Sequence, residues 1–403
     1  MISLLGMCVI LGAAYALSTN RKQIPFRTVS LALLLQVLFA VLVLYIPAGK
    51  DALFSFSSLI SGVIEYGQQG IQFLFGDIAT GSVGFVFAIN VLGIIIFFSA
   101  LISALYYLGV MPKVIQVIGG TLQRLLGTKK AESLSATANI FVGLVEAPLV
   151  VKPYLTKMGD SQFFAVMTCG LASVAGGTLV GYASVGVDIN YLVAAAFMSA
   201  PAGLLMSKIL VPPCVEESAS TDHEDDIVIP KANNVVEAIA DGALSGAQIA
   251  ISVGVTLLAF VGIIALLNGL LGNVGNVIGV ELSFELILGY VFAPVAWMIG
   301  VPWNEAMTAG SLIGNKIVVN EFVAFIQMMD AQDQLSPHSL AIVTFALCGF
   351  ANISSMAMLI GGLGSLVPER KKFISTYGFR AIAAGVLANL MSASIVGLIL
   401  SLG

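Results

Sequence analysis

The chain has 403 residues, 58% of them hydrophobic and only 10% charged, with a mean hydropathy of +1.01 and a formal charge of −5. That balance lies far outside the composition of a soluble domain and identifies an integral membrane protein. Cys8, Cys169, Cys214 and Cys348 are scattered, without ligand spacing or a disulfide pattern, and His223 and His338 fall in polar connections, which excludes a histidine-based metal site or membrane proton relay.

Uncharged runs at 83–110, 162–187, 242–280 and 381–403 each exceed the ~20 residues that carry a helix across ~30 Å of hydrocarbon. Barrel strands would be about half as long and would alternate, so the fold class is all-α. The first crossing is expected at 2–18. Ala14-Tyr15-Ala16 resembles a signal-peptide cleavage site, but no basic stretch precedes the apolar run and Arg21-Lys22 follow it, which favours a retained helix. Further crossings are expected at 28–46, 83–110, 162–187, 190–207, 242–271, 339–367 and 381–402, about eight in all. The run 242–280 would make ~58 Å of helix, so it is either one steeply tilted span with an extension or two short helices. Fifteen of the 17 basic residues cluster around 21–27, 113–130, 152–157, 208–231 and 370–380; Lys50 and Lys316 lie elsewhere. The positive-inside rule puts those clusters in the cytoplasm and both chain ends outside, periplasmic or extracellular. Residues 211–234, with Pro212-Pro213 and the acidic stretch Glu216 to Asp226, read as a cytoplasmic linker; a calcium site there is the less favoured alternative.

Two segments enter and return. Residues 131–158 start and end beside cytoplasmic lysines, and 304–329 start and end outside. Each has one central acid, Glu146 or Glu321, with an asparagine upstream, Asn139 or Asn315. Re-entrant hairpins of this kind are tolerable at membrane depth only when protein surrounds them or water lines them. The crossing after each hairpin carries nearly the same letters, "CGLASVAGG" from Cys169 and "CGFANISSM" from Cys348, whose glycines weaken a helix where Ser173 and Asn352 can satisfy freed backbone groups. The expected division is therefore scaffold helices 1–82, a first repeat 83–210, the linker, and a second repeat 235–403. Three crossings per repeat invert the second copy, the common plan of a secondary transporter with discontinuous helices.

An ionised carboxylate near the bilayer centre costs ~2.5 to 3.5 kcal/mol on insertion scales. Glu146 and Glu321 are thus functional candidates expected to share a solvent pocket; the plainer alternative is that each is neutral or only ties its hairpin tip to backbone N–H groups. Asn139 and Ser173 offer neutral oxygens where a hairpin meets a broken helix, which suits sodium, although Asn and Ser also serve as ordinary interhelical hydrogen-bonding residues. No nucleophile, base and orienter set, phosphate loop or metal motif is present, so an enzyme is not expected.

The stretches "FFSALISALYYLGVM" from Phe97, "ANIFVGLVEAPLVVKPYL" from Ala138, "VPWNEAMTAGSLIGNKIVVNEFVAF" from Val301 and "LCGFANISSMAMLIGGLGSLVP" from Leu347 resemble the concentrative nucleoside transporters, along nearly the whole chain. The resemblance implies a homotrimer in the inner membrane in which sodium drives nucleoside uptake by an elevator-like motion, with lipid as the surroundings, no further cofactor and no nucleic acid partner. It implies sodium ligands at the Asn139 and Ser173 side chains and the Val142 and Val174 carbonyls. Glu321, Asn352 and Ser355 would hold the ribose hydroxyls, Phe350 would lie against the ligand, and Gly143 and Glu146, with Val174 nearby, would face the base. The family usually has two polar residues where this chain has Leu144 and Val145 in the tip Gly143-Leu144-Val145-Glu146. Base recognition is expected to change there, towards relaxed selectivity or a more apolar ligand. Asn90-Val91-Leu92-Gly93 also departs from the family pattern, with an expected effect on helix bending alone. A proton-driven or non-nucleoside carrier of the same fold, or a binding-only membrane sensor, are the competing expectations.

Overall fold

The computed structural model describes residues 2–80, 86–214 and 232–402; the acidic stretch Glu216 to Asp226 and His223 lie outside them. Among the described residues every regular element is helical. The chain opens with α1 (Ile2–Ala16), α2 (Phe26–Leu44) and α3 (Pro47–Phe75). At ~1.5 Å per residue α1 is ~22 Å long, shorter than the hydrocarbon core. The apolar α4 (Phe87–Tyr107) leads into α5 (Val110–Leu126), which buries Met111, Ile115, Leu122 and Leu126 on one face and keeps Lys113 and Arg124 off it, a pattern suited to a membrane interface. Both ends of α5 are left-handed turns, at Gly109 (φ 76°) and Gly127 (φ 67°), a conformation that glycine adopts without Cβ strain.

The first hairpin follows. Its entry arm is α6 (Lys130–Ala138), and its return arm is divided into α7 (Ala147–Val150) and α8 (Lys152–Leu155). The crossing expected at 162–187 is interrupted: α9 (Asp160–Ala172) stops at Ser173 and α10 (Gly176–Ser184) resumes after Ala175. α11 (Ile189–Leu210) completes the unit, and its side chains fill the centre of the molecule.

The second unit repeats this order. The stretch 242–280 is one continuous element, α12 (Val235–Ile278), begun by an Asn234 cap and ended at Gly279 (φ 71°). Its ~66 Å is over twice the hydrocarbon thickness, so it crosses at a steep tilt. α13 (Phe284–Met298), lying outside the expected crossings, packs along α14 (Ala306–Val318), the entry arm of the second hairpin; α15 (Glu321–Asp330) returns, with Asn320 capping its N-terminus at 2.9 Å from the Val323 amide. The next crossing is broken as well, between α16 (Pro337–Leu347) and the pair α17 (Ser355–Met358) and α18 (Gly364–Leu366), which flank a π-helical turn. α19 (Lys371–Leu400) closes the chain.

Burial separates two layers. The apolar stretches of α9–α10 and α11 are 89% and 94% buried, whereas those of α2, α4 and α12 are 28%, 33% and 17% buried. Hairpins and broken helices therefore form the interior, wrapped by long helices whose exposed leucines and valines face acyl chains or other copies. Among the described residues six helical spans are long and apolar enough to cross, one of them the interrupted α9–α10; with the short α1 and the broken α16–α18 the eight expected crossings are accounted for. α4 and α12 pack along each other at the periphery.

Candidate functional site

Each broken helix leaves orphaned backbone groups, and the site is built from what satisfies them. The Phe350 amide in the second break donates to the Ser173 carbonyl in the first at 3.1 Å, so the two breaks are joined directly. From α19, Asn389 spans both: its Nδ2 donates to the Ala172 carbonyl at 2.7 Å and to the Cys348 carbonyl at 2.9 Å. Lys316, 1% exposed on α14, donates from Nζ to Asn389 Oδ1 at 2.9 Å. Its ammonium thus lies near the carbonyl ends of α9 and α16, where the helix dipoles favour positive charge. Gly349 explains half of the repeated Cys-Gly letters: a side chain there would overlap the Asn389 amide.

The first hairpin docks onto the first break. Gly176 N donates to the Phe141 carbonyl at 3.1 Å, and Gly143 stands opposite Ala175. Asn139 is fully buried; its Nδ2 donates to the Ser135 carbonyl at 2.9 Å, while its Oδ1 finds no hydrogen-bond partner. Ser173, also buried, reaches only the Gly170 carbonyl, at a long 3.4 Å. A buried amide oxygen left unpaired costs ~1–3 kcal/mol, which makes Asn139 Oδ1 a candidate ligand for a small cation. In the second hairpin Asn315 repeats the pattern: its Nδ2 donates to Gln327 Oε1 at 2.8 Å and its Oδ1 is unpaired.

The two acids have different surroundings. Glu146 Oε2 accepts from the Gly143 amide at 3.0 Å within its own hairpin tip, the plainer role considered from sequence. Glu146 also lines a cavity of about 450 Å³ with Ser99, Tyr106, Val142, Ala175 and Thr178, whose outer wall includes Glu237 and Asp241 of α12. Glu321, 5% exposed, is absent from that wall. Its Oε2 accepts from Asn352 Nδ2 at 2.9 Å and its Oε1 from the Tyr182 hydroxyl at 3.1 Å. Asn352 Oδ1 accepts from the Ser355 amide at 2.9 Å and from Ser354 Oγ at 2.7 Å; the single hydroxyl proton of Ser355 is shared between Asn352 Oδ1, at 2.9 Å, and the Phe350 carbonyl. Glu321, Asn352, Ser355 and Phe350 are thereby one hydrogen-bonded unit.

The aliphatic tip packs on two glycines. Leu144 is 3% exposed and packs over Gly170, where a methyl group would overlap its Cδ1; Val145 touches Gly362 but stays 37% exposed. Neither is on the cavity wall. Gly170 thus leaves a slot that the Leu144 side chain fills, and Gly362 leaves room for one face of Val145. Sequence reasoning also missed Tyr182, which has no distinguishing spacing, and Asn389. Lys316 did carry a signal, as a basic residue in an apolar segment away from the cytoplasmic clusters.

Three family models cover the chain: Na+ dependent nucleoside transporter N-terminus at residues 5–78, nucleoside recognition at 88–188, and Na+ dependent nucleoside transporter C-terminus at 191–397. The chain belongs to the concentrative nucleoside transporter family. It is 51% identical to the nucleoside permease NupC of Helicobacter pylori, over 99% of this chain and 98% of the relative. It is 41% identical to the putative nucleoside permease NupX of Escherichia coli, over 99% of each. It is also 35% identical to the sodium/nucleoside cotransporter 1 of Mus musculus, over 99% of this chain and 64% of that longer protein. Among solved structures, CNTnw in an inward-facing substrate-bound state matches with a TM-score of 0.94 at 52% identity, covering 100% of this chain and 99% of the other. A doubly substituted CNTnw in an outward-facing state matches at 0.95 and 51%, covering 100% and 98%. The family is one of membrane transporters and not of enzymes.

Proposed function

We propose that this member is a sodium-coupled nucleoside symporter of a bacterial inner membrane, working as a homotrimer by an elevator-type exchange of its buried interior against its long peripheral helices. The observation that carries the reading is the 3.1 Å bond from the Phe350 amide to the Ser173 carbonyl, which ties the break beside the unpaired Asn139 oxygen to the break that holds Asn352 and Ser355. Sodium would take the Asn139 and Ser173 side-chain oxygens with the carbonyls of Val142 and Val174. Supplying a cation there relieves the unpaired Asn139 oxygen and draws the hairpin tip onto the break. The ribose would place one hydroxyl on each Glu321 oxygen, which retains a free lone pair after accepting from Tyr182 or Asn352. Phe350 would pack on the ligand, and the base would extend towards Val174, Gly143 and Glu146.

With Leu144 filling the slot at Gly170 and Val145 offering only an aliphatic surface, polar base contacts fall to Glu146 and the backbone of the tip, and selectivity among bases is expected to be broad. The equivalent order of hairpin, broken helix and closing helix in the two halves supports inverted repeats at 83–210 and 235–403, with both chain ends outside. Relatives solved in inward-facing, outward-facing and intermediate states support alternating access. The test is uptake of labelled uridine and adenosine into vesicles with and without an inward sodium gradient. Sodium-driven accumulation is the expected result. Sodium-independent uptake abolished by an uncoupler would replace sodium by protons, and saturable binding without counterflow would make the protein a sensor.

A further inference from the structure

Tyr182 is fully buried on α10 of the first unit, yet its hydroxyl donates to Glu321 on the hairpin of the second. Its ring is held between Phe322, with centroids 4.5 Å apart, and Phe325, at 4.6 Å, and Phe87 of α4 stands against the far side of Phe322 at 5.9 Å. The preceding Gly181 is so closely packed that an added Cβ would stand 3.2 Å from Phe322 and 3.3 Å from Val91. Little slack therefore separates α10 from the second hairpin. The other end of α10 begins at Gly176, immediately after Ser173, Val174 and Ala175, and is tied to the first hairpin by the Gly176 amide bond to Phe141. A nine-residue helix moves as a rigid body, because its internal hydrogen bonds resist compression. Any shift of the break on cation binding therefore reaches the Tyr182 hydroxyl within ~9 Å of rise.

We propose that Tyr182 is a positioning residue that carries the state of the cation site to the carboxylate that receives the ribose hydroxyls. The inference rests on the sodium-coupled reading above. With Tyr182 in place, Glu321 Oε1 is held by a donor from the first unit and Oε2 by Asn352 from the second, so the carboxylate plane is fixed by both. With the cation absent, a displaced break carries α10 and the Tyr182 hydroxyl with it, and the two ligand hydroxyls lose their paired acceptor geometry.

The experiment measures uridine affinity of the purified full chain by titration calorimetry in sodium and in choline chloride, for the wild type and for Tyr182→Phe. The substitution keeps the ring and removes one oxygen. Coupling between two sites typically amounts to 5–150-fold in affinity. The expected result is a clear sodium-induced tightening in the wild type that falls at least about threefold in Tyr182→Phe, consistent with a 1–3 kcal/mol coupling being partly lost. The sodium midpoint of thermal stabilisation without nucleoside should stay in place. Tyr191→Phe, on α11 against Phe345, should leave the tightening factor unchanged. An unchanged factor in Tyr182→Phe overturns the relay while leaving symport intact. A wild type indifferent to sodium overturns both. If Tyr182→Phe does not fold, Phe325→Leu, which loosens the ring and keeps the hydroxyl, must reduce the factor; an unchanged factor there overturns the relay equally.

Discussion

Replacing Glu321 by glutamine keeps the side-chain shape and converts one acceptor oxygen into a donor. In the structure both carboxylate oxygens already accept, from Tyr182 at 3.1 Å and from Asn352 at 2.9 Å. An amide nitrogen facing Asn352 Nδ2 would set donor against donor, so the amide must turn its nitrogen to Tyr182, whose hydroxyl can rotate and accept. The oxygen left towards Asn352 is neutral, and the ligand hydroxyl on the other side has lost its acceptor. Hydrogen bonds to a charged group contribute ~1.5–3 kcal/mol each. Losing one and reducing the other to a neutral bond gives ~2.5–4.5 kcal/mol, or roughly two to three powers of ten in Kd. Calorimetric titration with uridine and with 2′,3′-dideoxyuridine separates this from general damage. Uridine should lose that factor on Glu321→Gln, whereas the dideoxy compound, lacking both hydroxyls, should change by less than about threefold, under 1 kcal/mol. Equal losses for the two ligands would refute the assignment of the hydroxyls to Glu321.

Four further outcomes follow from neighbouring contacts. Gly170→Ala should destabilise the protein by ~1–3 kcal/mol through overlap with Leu144, and Leu144→Ala by ~2–5 kcal/mol through a cavity. Thermal melts of the double variant should show a loss well below the sum of the two. Leu144→Gln should lower the melting temperature without altering the ligand profile, because the amide enters a dry slot where an unpaired group costs ~1–3 kcal/mol; a sharpened base preference would return Leu144 to the ligand side. At the base of the first hairpin, Lys208 Nζ meets Glu132 at 2.6 Å with both side chains buried. Lys208→Met should cost ~3–5 kcal/mol by stranding Glu132, and adding Glu132→Leu should recover much of it in the same melts. Glu305, at the start of α14, is raised by partial burial, but bonds from Ser339 and from the amide and hydroxyl of Ser336 outweigh this, with His338 adding in the same sense, and its pKa is lowered. Its contribution is therefore complete above the unfolded glutamate pKa of ~4.3 and is lost as pH falls through the lower folded value; Glu305→Gln should flatten the melting temperature between about pH 5 and pH 3.

What the sequence made legible is what hydrocarbon dictates locally. An apolar run of a given length must be helical, and an isolated acid in such a run must be covered, so the crossings, both hairpins and both helix breaks could be placed before any coordinates. Between long helix and hairpin the sequence reads as an amphipathic stretch in each half, which is α5 in the first; α13 occupies that place in the second but is almost entirely apolar and, at 15 residues, too short to register as a crossing. The direction of a tip side chain is a different kind of quantity. Leu144 and Val145 sit in a turn, where no period fixes which side faces the ligand; the choice is made by Gly170 and Gly362, 26 and 217 positions further along the chain, each of which leaves room for one side chain. Tyr182 is hidden for the same reason, since its partner Glu321 lies 139 residues away and nothing at position 182 marks a tyrosine as more than packing. Lys316 lies between these cases. Its presence in an apolar stretch signals a buried charge, but only the fold shows that Asn389 links its ammonium to the carbonyl ends of both broken helices. Local physics fixes which backbone groups are left unpaired, and the long-range partners that pair them decide where the chemistry is done.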